Sequence, residues 1–284
     1  MKTEKNILIA FILNLIFSII ELLGGIFTNC ISILSDAIHD ICDSISIGIS
    51  FILEKISKKS VNDRYTFGYV RYSVLGALIT NLILIVSSIL IIYNAIKRFN
   101  NPVIINYDAM IIISVIGIIL NMVATIITKE NNSLNEKAVS LHMFEDTLGW
   151  IIVFIGSIII KITQINNIDS IMSIGVSLFI FIHAFKNLNE IVKLFLIKTP
   201  KNISLNEIKK ELLKIKNILD VHHIHIWSLD GIRNYATMHI VTNKESFKLK
   251  KEIKEKLFKF NIIHTTIEFE KEDEFCYENS CNLK

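Results

Sequence analysis

Two segments of this chain repeat one spacing of metal-donor side chains: His39 with Asp43, and His142 with Asp146, each pair four residues apart. On an α-helix, residues i and i+4 lie one above the other on the same face, so each segment predicts an imidazole beside a carboxylate. Two such helices facing each other supply two nitrogens and two oxygens, a set suited to a tetrahedral divalent cation of the zinc type. Two ionised carboxylates and two neutral imidazoles cancel a divalent charge, the total that a dry site tolerates; a monovalent ion leaves it negative. Asp36 shares the His39 face broadly, whereas Asp40 and Glu145 point elsewhere and Cys42 reads as a small packing residue. His183 has Asn187 rather than an acid at i+4 and is read as a non-ligand.

Both pairs are sunk in apolar runs. The chain has 284 residues, 51% hydrophobic and 20% charged, with two prolines and a mean hydropathy of +0.50, which is the profile of a polytopic membrane protein. A spanning helix needs about 20 apolar residues, and windows of that length lie at 7–27, 31–53, 73–96, 107–128, 139–160 and 169–190. The first window lacks a small-residue cleavage pattern and carries Glu21, so it reads as an uncleaved first helix rather than a signal peptide. The expected class is therefore an α-helical polytopic membrane protein of six transmembrane helices over residues 1–199, lying in the cell membrane.

Orientation follows from Lys and Arg near the helix ends. Lys2, Lys5, Lys55, Lys58, Lys59, Arg64, Arg71, Lys129 and Lys137 fall on one side, and Lys97, Arg98 and Lys161 on the other, which predicts cytoplasmic N- and C-termini. The four cysteines, Cys30, Cys42, Cys276 and Cys281, form no disulfide framework in such an arrangement. A net charge of +3 gives no reason to expect a nucleic-acid partner.

Near Lys198-Thr199-Pro200 the apolar runs give way to Lys- and Glu-rich sequence, which predicts a second domain over 200–284. Ser204 with Glu207 three residues on opens a helix over 204–216. Strand-like runs Val221–Leu229 and Asn234–Thr242 flank Asp230-Gly231, a turn signal. A helix from Glu245 to Phe260 and a strand from Ile262 to Glu270 complete an α-β-β-α-β order, one sheet face covered by two helices. Strand alternation puts His223 and His225 on one face and His222 on the other. His222, His223, His225, His239 and His264, with Glu270, Cys276 and Cys281, are donors that could meet at a sheet end; the Cys276/Cys281 spacing is not that of a zinc finger.

Imidazole and carboxylate bind protons as well as metal, so the two compete for one set of lone pairs. A site that opens alternately to each face converts that competition into exchange of metal for protons. Imidazole with carboxylate at four-coordination suits Zn²⁺, with Cd²⁺ and Co²⁺ as competitors, while an all-oxygen site favours manganese or magnesium. An intramembrane metalloenzyme is the reading of another class. It lacks a His-Glu-x-x-His or other nucleophile–base set, and four protein ligands leave no position for a reacting water. A metal sensor without transport is the remaining alternative, separable by proton-dependent flux.

The run Ser35 to Asp43, the loop Arg64 to Arg71 with Val74-Leu75-Gly76-Ala77, Ala95 to Phe99 with Pro102, Asn121, His142 to Asp146, Val221 to Trp227, and His264 to Glu268 together resemble the cation diffusion facilitator family, in its zinc-transporter branch. The resemblance covers nearly the whole chain. It implies a six-helix metal/proton antiporter working as a homodimer, with a ferredoxin-like cytoplasmic domain that binds further metal. The family's transport-site roles fall on His39, Asp43, His142 and Asp146, and cytoplasmic-site roles on His222, His239 and His264, with Glu270, Cys276 and Cys281 as further candidates. The metal is cargo and protons the counter-ion; no cofactor is implied. The chain departs from the family in its loops. Lys129 to Lys137 lacks a His-rich insertion, Tyr65 and Tyr69 stand where some relatives have loop histidines, and Ile197 stands where some pair an acid with the base at Arg71.

Overall fold

Six long helices run through the first two thirds of the chain in the computed structural model, which describes residues 2–28, 31–100, 107–129, 133–163 and 167–274. They are α1 (Lys2–Thr28), α2 (Ile31–Ser57), α3 (Arg71–Asn100), α4 (Tyr107–Thr128), α5 (Leu134–Thr163) and α6 (Asn167–Phe195). Stretches within four of them, Thr3–Gly24, Arg71–Asn100, Met110–Thr128 and Leu134–Thr163, are long and apolar enough to cross a membrane. Helices α2 and α6 have 27 and 29 residues. Their apolar runs are broken by Asp36, Asp40 and Asp43 in one and by Lys186 and Glu190 in the other.

The helices bury their polar residues and expose their apolar ones. Ile9, Ile12, Ile16 and Ile19 on α1 and Ile112, Val115 and Ile119 on α4 face outward, while Asn14, Ser18, Glu21, Asn81 and Asn121 are buried. Lipid is as apolar as isoleucine, so little is gained by hiding isoleucine and much by giving an asparagine a partner. Asn14 accordingly donates to Ser44 Oγ at 3.1 Å and Ser18 shares a contact of 3.3 Å with the same hydroxyl, joining α1 to α2. Helix α1 also packs on α4, α4 on α5, and α3 on both α2 and α5. On α4, a Cβ at Gly117 would come within 2.8 Å of Phe17 and Trp150, whose rings meet edge to face at 5.1 Å. Leu84, Ile180 and Ala184 tie α3 to α6.

The chain divides into two compact units, Met1–Ile191 and Val192–Lys284. The second contains α7 (Leu205–Leu213), β1 (Asp220–Ser228), β2 (Asn234–Val241), α8 (Phe247–Phe258) and β3 (Ile262–Glu270). Ser204 caps α7, accepting from the Glu207 amide. Helix α8 begins two residues later than its sequence suggests, because Ser246 is the cap, accepting from the Leu249 amide at 3.1 Å. Asp230 shapes the β1–β2 turn by accepting from the Ile232 and Arg233 amides, with Gly231 at φ +80°. The sheet order is β1-β2-β3, antiparallel between β1 and β2 and parallel between β2 and β3. This is an α+β domain with the last five elements of the ferredoxin-like order. Ile208, Leu212, Leu249, Ile253 and Leu257 from the helices close over Val221, Ile226, Ala236, Met238 and Ile240 from the strands.

Strand alternation fails at two places, between Ile262 and His264 at the start of β3 and within β1, where it affects the donors. A bulge lies between His222 and His225, where His222 pairs with His239 and His225 with Thr237. Two steps along β2 thus face three along β1, and the extra residue, His223, takes φ +51°. His222 and His225 therefore share the sheet face open opposite the helices, rather than lying on opposite faces as simple alternation predicts.

Candidate metal sites

The first donor cluster joins α2 to α5. Asp43, His142 and Asp146 each offer a ligand atom within 4.8 Å of the others. His142 Nε2 lies 3.7 Å from Asp43 Oδ2 and 3.9 Å from Asp146 Oδ2, with side chains 2%, 4% and 12% exposed. Donors held about 2.0–2.2 Å from a tetrahedral zinc sit about 3.4 Å apart. The imidazole therefore needs only about 0.3–0.5 Å of contraction toward each carboxylate, and the two carboxylates lie within 4.8 Å of one another. His39 occupies α2 one turn before Asp43; its side chain and that of Asp36 lie outside the described residues. Glu145, next to Asp146, turns instead toward α3, accepting from Ser88 Oγ at 3.2 Å. His183 is exposed, with Nδ1 2.9 Å from the Phe179 carbonyl and no place in the cluster.

The second cluster lies on the open face of the sheet. His222, His239 and Glu270 offer ligand atoms within 4.8 Å of one another. Glu270 bridges the two rings, Oε2 at 3.0 Å from His222 Nε2 and Oε1 at 2.5 Å from His239 Nδ1. The parallel register sets this arrangement, pairing His239 with Glu268 and Val241 with Glu270, so both glutamates share the histidine face. Sequence reasoning missed two supporting acids. Asp220 Oδ2 is 3.4 Å from His222 Nδ1, an arrangement that leaves Nε2 free to ligate. Glu268 Oε2 is 3.5 Å from His239 Nε2; its separation of two from Glu270 on a strand was the available signal. Partial burial pushes the Asp220 carboxyl up. A hydrogen bond from Lys209 and another from the Val221 amide outweigh it and hold the group below the ordinary carboxylate value.

His264 is not part of this cluster. It pairs with Tyr235 and packs on that ring at 6.0 Å, and the six residues to Glu270 span roughly 20 Å of strand. Cys276 and Cys281 lie outside the described residues. The bulge brings two further rings close, His223 being 4.6 Å from His239 and 4.9 Å from His225 between centroids.

An apolar helical bundle with a buried nitrogen–carboxylate cluster, followed by an α+β domain with a second one, defines a membrane transporter for metal cations. Residues 7–196 match the cation efflux transmembrane domain and residues 200–272 the cytoplasmic domain of cation efflux proteins. The chain belongs to the cation efflux, or cation diffusion facilitator, family; it is a multi-pass cation efflux transporter with a cytoplasmic C-terminal domain, and not an enzyme. It is 32% identical over 278 residues to a cadmium, cobalt and zinc/H(+)-K(+) antiporter of Bacillus subtilis, covering 95% of this chain and 89% of the relative. Identity to the metal cation efflux system protein CzcD of Cupriavidus metallidurans is 30% over 273 residues (94% and 86% covered). Against the zinc transporter ZitB of Pectobacterium atrosepticum it is 30% over 287 residues (99% and 89%).

Proposed function

We propose that this transporter exports zinc in exchange for protons, with Asp43, His142, Asp146 and His39 as ligands of the transported ion. The supporting observation is the meeting of buried Asp43 from α2 with buried His142 and partly buried Asp146 from α5, their donor atoms within 4.8 Å of one another. Mixed nitrogen and oxygen donors favour zinc, with cadmium and cobalt as competitors, and those three metals appear in the name of the Bacillus relative. Without metal, the same lone pairs take protons. Alternating exposure of the site to the two faces then couples metal leaving to protons entering.

His222, His239 and Glu270 would hold a further metal in the cytoplasmic domain, where Asp220 orients one ring and Glu268 approaches the other. The domain's match to the family's cytoplasmic domain supports a homodimer. Zinc uptake by inside-out vesicles, with and without an imposed pH gradient, tests the function. Parent vesicles take up zinc in a gradient-dependent way and Asp43→Ala vesicles do not. Flux indifferent to pH overturns the proton coupling, and zinc binding without flux in the parent favours a sensor. A potassium-gradient arm belongs in the same experiment, because the Bacillus relative's name carries potassium beside the proton.

A further inference from the structure

A buried polar cluster closes the α2–α5 seam on the cytoplasmic side of the transport site. Ser73 on α3 donates to Glu54 Oε2 at 2.6 Å, and Asn135 on α5 donates to the same oxygen at 3.3 Å. Asn135 also donates to the Ser50 carbonyl at 3.0 Å and accepts from the Ser50 hydroxyl. Ser50, Glu54, Ser73 and Asn135 are at most 6% exposed. Among the described residues no Lys or Arg pairs with Glu54, so one carboxylate holds three helices through neutral donors alone.

Its position gives the cluster a role. On α2, Asp43, Ser46, Ile47, Ser50 and Glu54 are all buried and spaced along one helical face; on α5, Asn135 lies two turns before His142 on the same face. The cluster therefore occupies the seam that holds the metal donors, about 16 Å from Asp43 along α2 and about 10 Å from His142 along α5. The C-terminal domain is cytoplasmic, so α2 ends and α5 begins on that side, where cargo must enter. Gly76 makes the closure tight, since a Cβ there would lie 2.7 Å from Asn135 Oδ1. Hydroxyl, amide and carboxylate groups can exchange these partners for water when the seam opens, whereas an apolar plug would be left bare.

We propose that Ser50, Glu54, Ser73 and Asn135 form a cytoplasmic latch that keeps the transport site shut from the cytoplasm and must part to admit metal. These are positioning residues and touch no cargo in the closed state. The proposal rests on the alternating-access reading above.

The test measures access rather than flux. Ser46, buried between Asp43 and the latch, is replaced by Cys in full-length protein whose four native cysteines are serine. A membrane-impermeant methanethiosulfonate reagent is then applied from either face of membrane vesicles. Labelling speed follows the open fraction, so a latch weakened from about 1% to about 10% open gives roughly tenfold faster labelling. That increase is expected for Asn135→Ala, Gly76→Ala and Glu54→Leu from the cytoplasmic face alone. Glu54→Gln, whose amide oxygen can accept from Ser73 and Asn135, returns the rate toward the parent's. Zinc binding by the solubilised variants verifies folding, and Gly76→Ala and the Glu54 pair carry the test should Asn135→Ala not fold. Parental rates in folded variants, or equal increases from both faces, overturn the latch. The readout needs no transport, so a failed export reading shows separately as absent zinc flux in the parent.

Discussion

The membrane cluster and the cytoplasmic cluster draw on the same two donor types, yet their surroundings make different demands. Asp43 and His142 are 4% and 2% exposed and come from different helices; His222, His239 and Glu270 are 15%, 21% and 11% exposed and come from adjacent strands of one sheet. A dry site must stay near neutrality, so removing a metal requires protons in its place. The partly exposed site can be rebalanced by water and salt, and its acids Asp220 and Glu268 add charge that a membrane interior would penalise. One arrangement suits exchange and the other suits retention.

The largest effects should separate the two. Asp43→Ala and His142→Ala each delete a proposed direct donor and should lower zinc flux by more than the about 10–100-fold typical of losing an outer partner. Glu270→Ala, by contrast, should leave flux measurable while removing the sheet site's share of the rise in thermal stability on adding zinc, a share worth about 2.7 kcal/mol at a hundredfold excess over that site's Kd. Flux assays and zinc-dependent melting of the full chain read both. If Glu270→Ala stops flux as completely as Asp43→Ala, the division between exchange and retention is wrong.

The repeated four-residue spacing was legible because helical geometry fixes which residues share a face, whatever the tertiary structure does. The sheet was less so. Nothing local in Val221-His222-His223-Ile224-His225 marks where the extra residue falls; the bulge follows from registering β1 against β2 while Val221 and Ile226 both stay in the core. His264 shares the face of Glu270 by parity but not its neighbourhood, because parity carries no distance. The approach of Gly76 to Asn135 joins residues on different helices, which helical periodicity cannot foresee.

An intermediate effect sharpens the comparison through donor chemistry. Replacing His39 by aspartate turns a mixed donor set toward oxygen, which suits harder cations. Competition of manganese against zinc flux should rise on the order of tenfold. Unchanged competition would remove His39 from the ligand set while leaving Asp43, His142 and Asp146 in it.

The smallest expected effect concerns how the sheet site is oriented. Asp220 sits between Lys209 Nζ at 2.8 Å and His222 Nδ1 at 3.4 Å, with its own side chain 46% exposed. An ion pair so exposed contributes under about 1 kcal/mol to stability, but an acid that orients a ligating ring is worth about tenfold in metal affinity. Asp220→Asn should therefore barely move the melting temperature of the metal-free protein while weakening zinc binding about tenfold. Because the folded carboxyl titrates below its ordinary value, its stabilising contribution is present above that ordinary value and disappears as pH falls through the lowered one. The parent and Asp220→Asn should converge in stability at acid pH and differ only above it. A difference in metal-free stability larger than a surface pair allows would make Asp220 a structural residue of the α7–β1 packing, and the orienting role would then fall to the sheet alone.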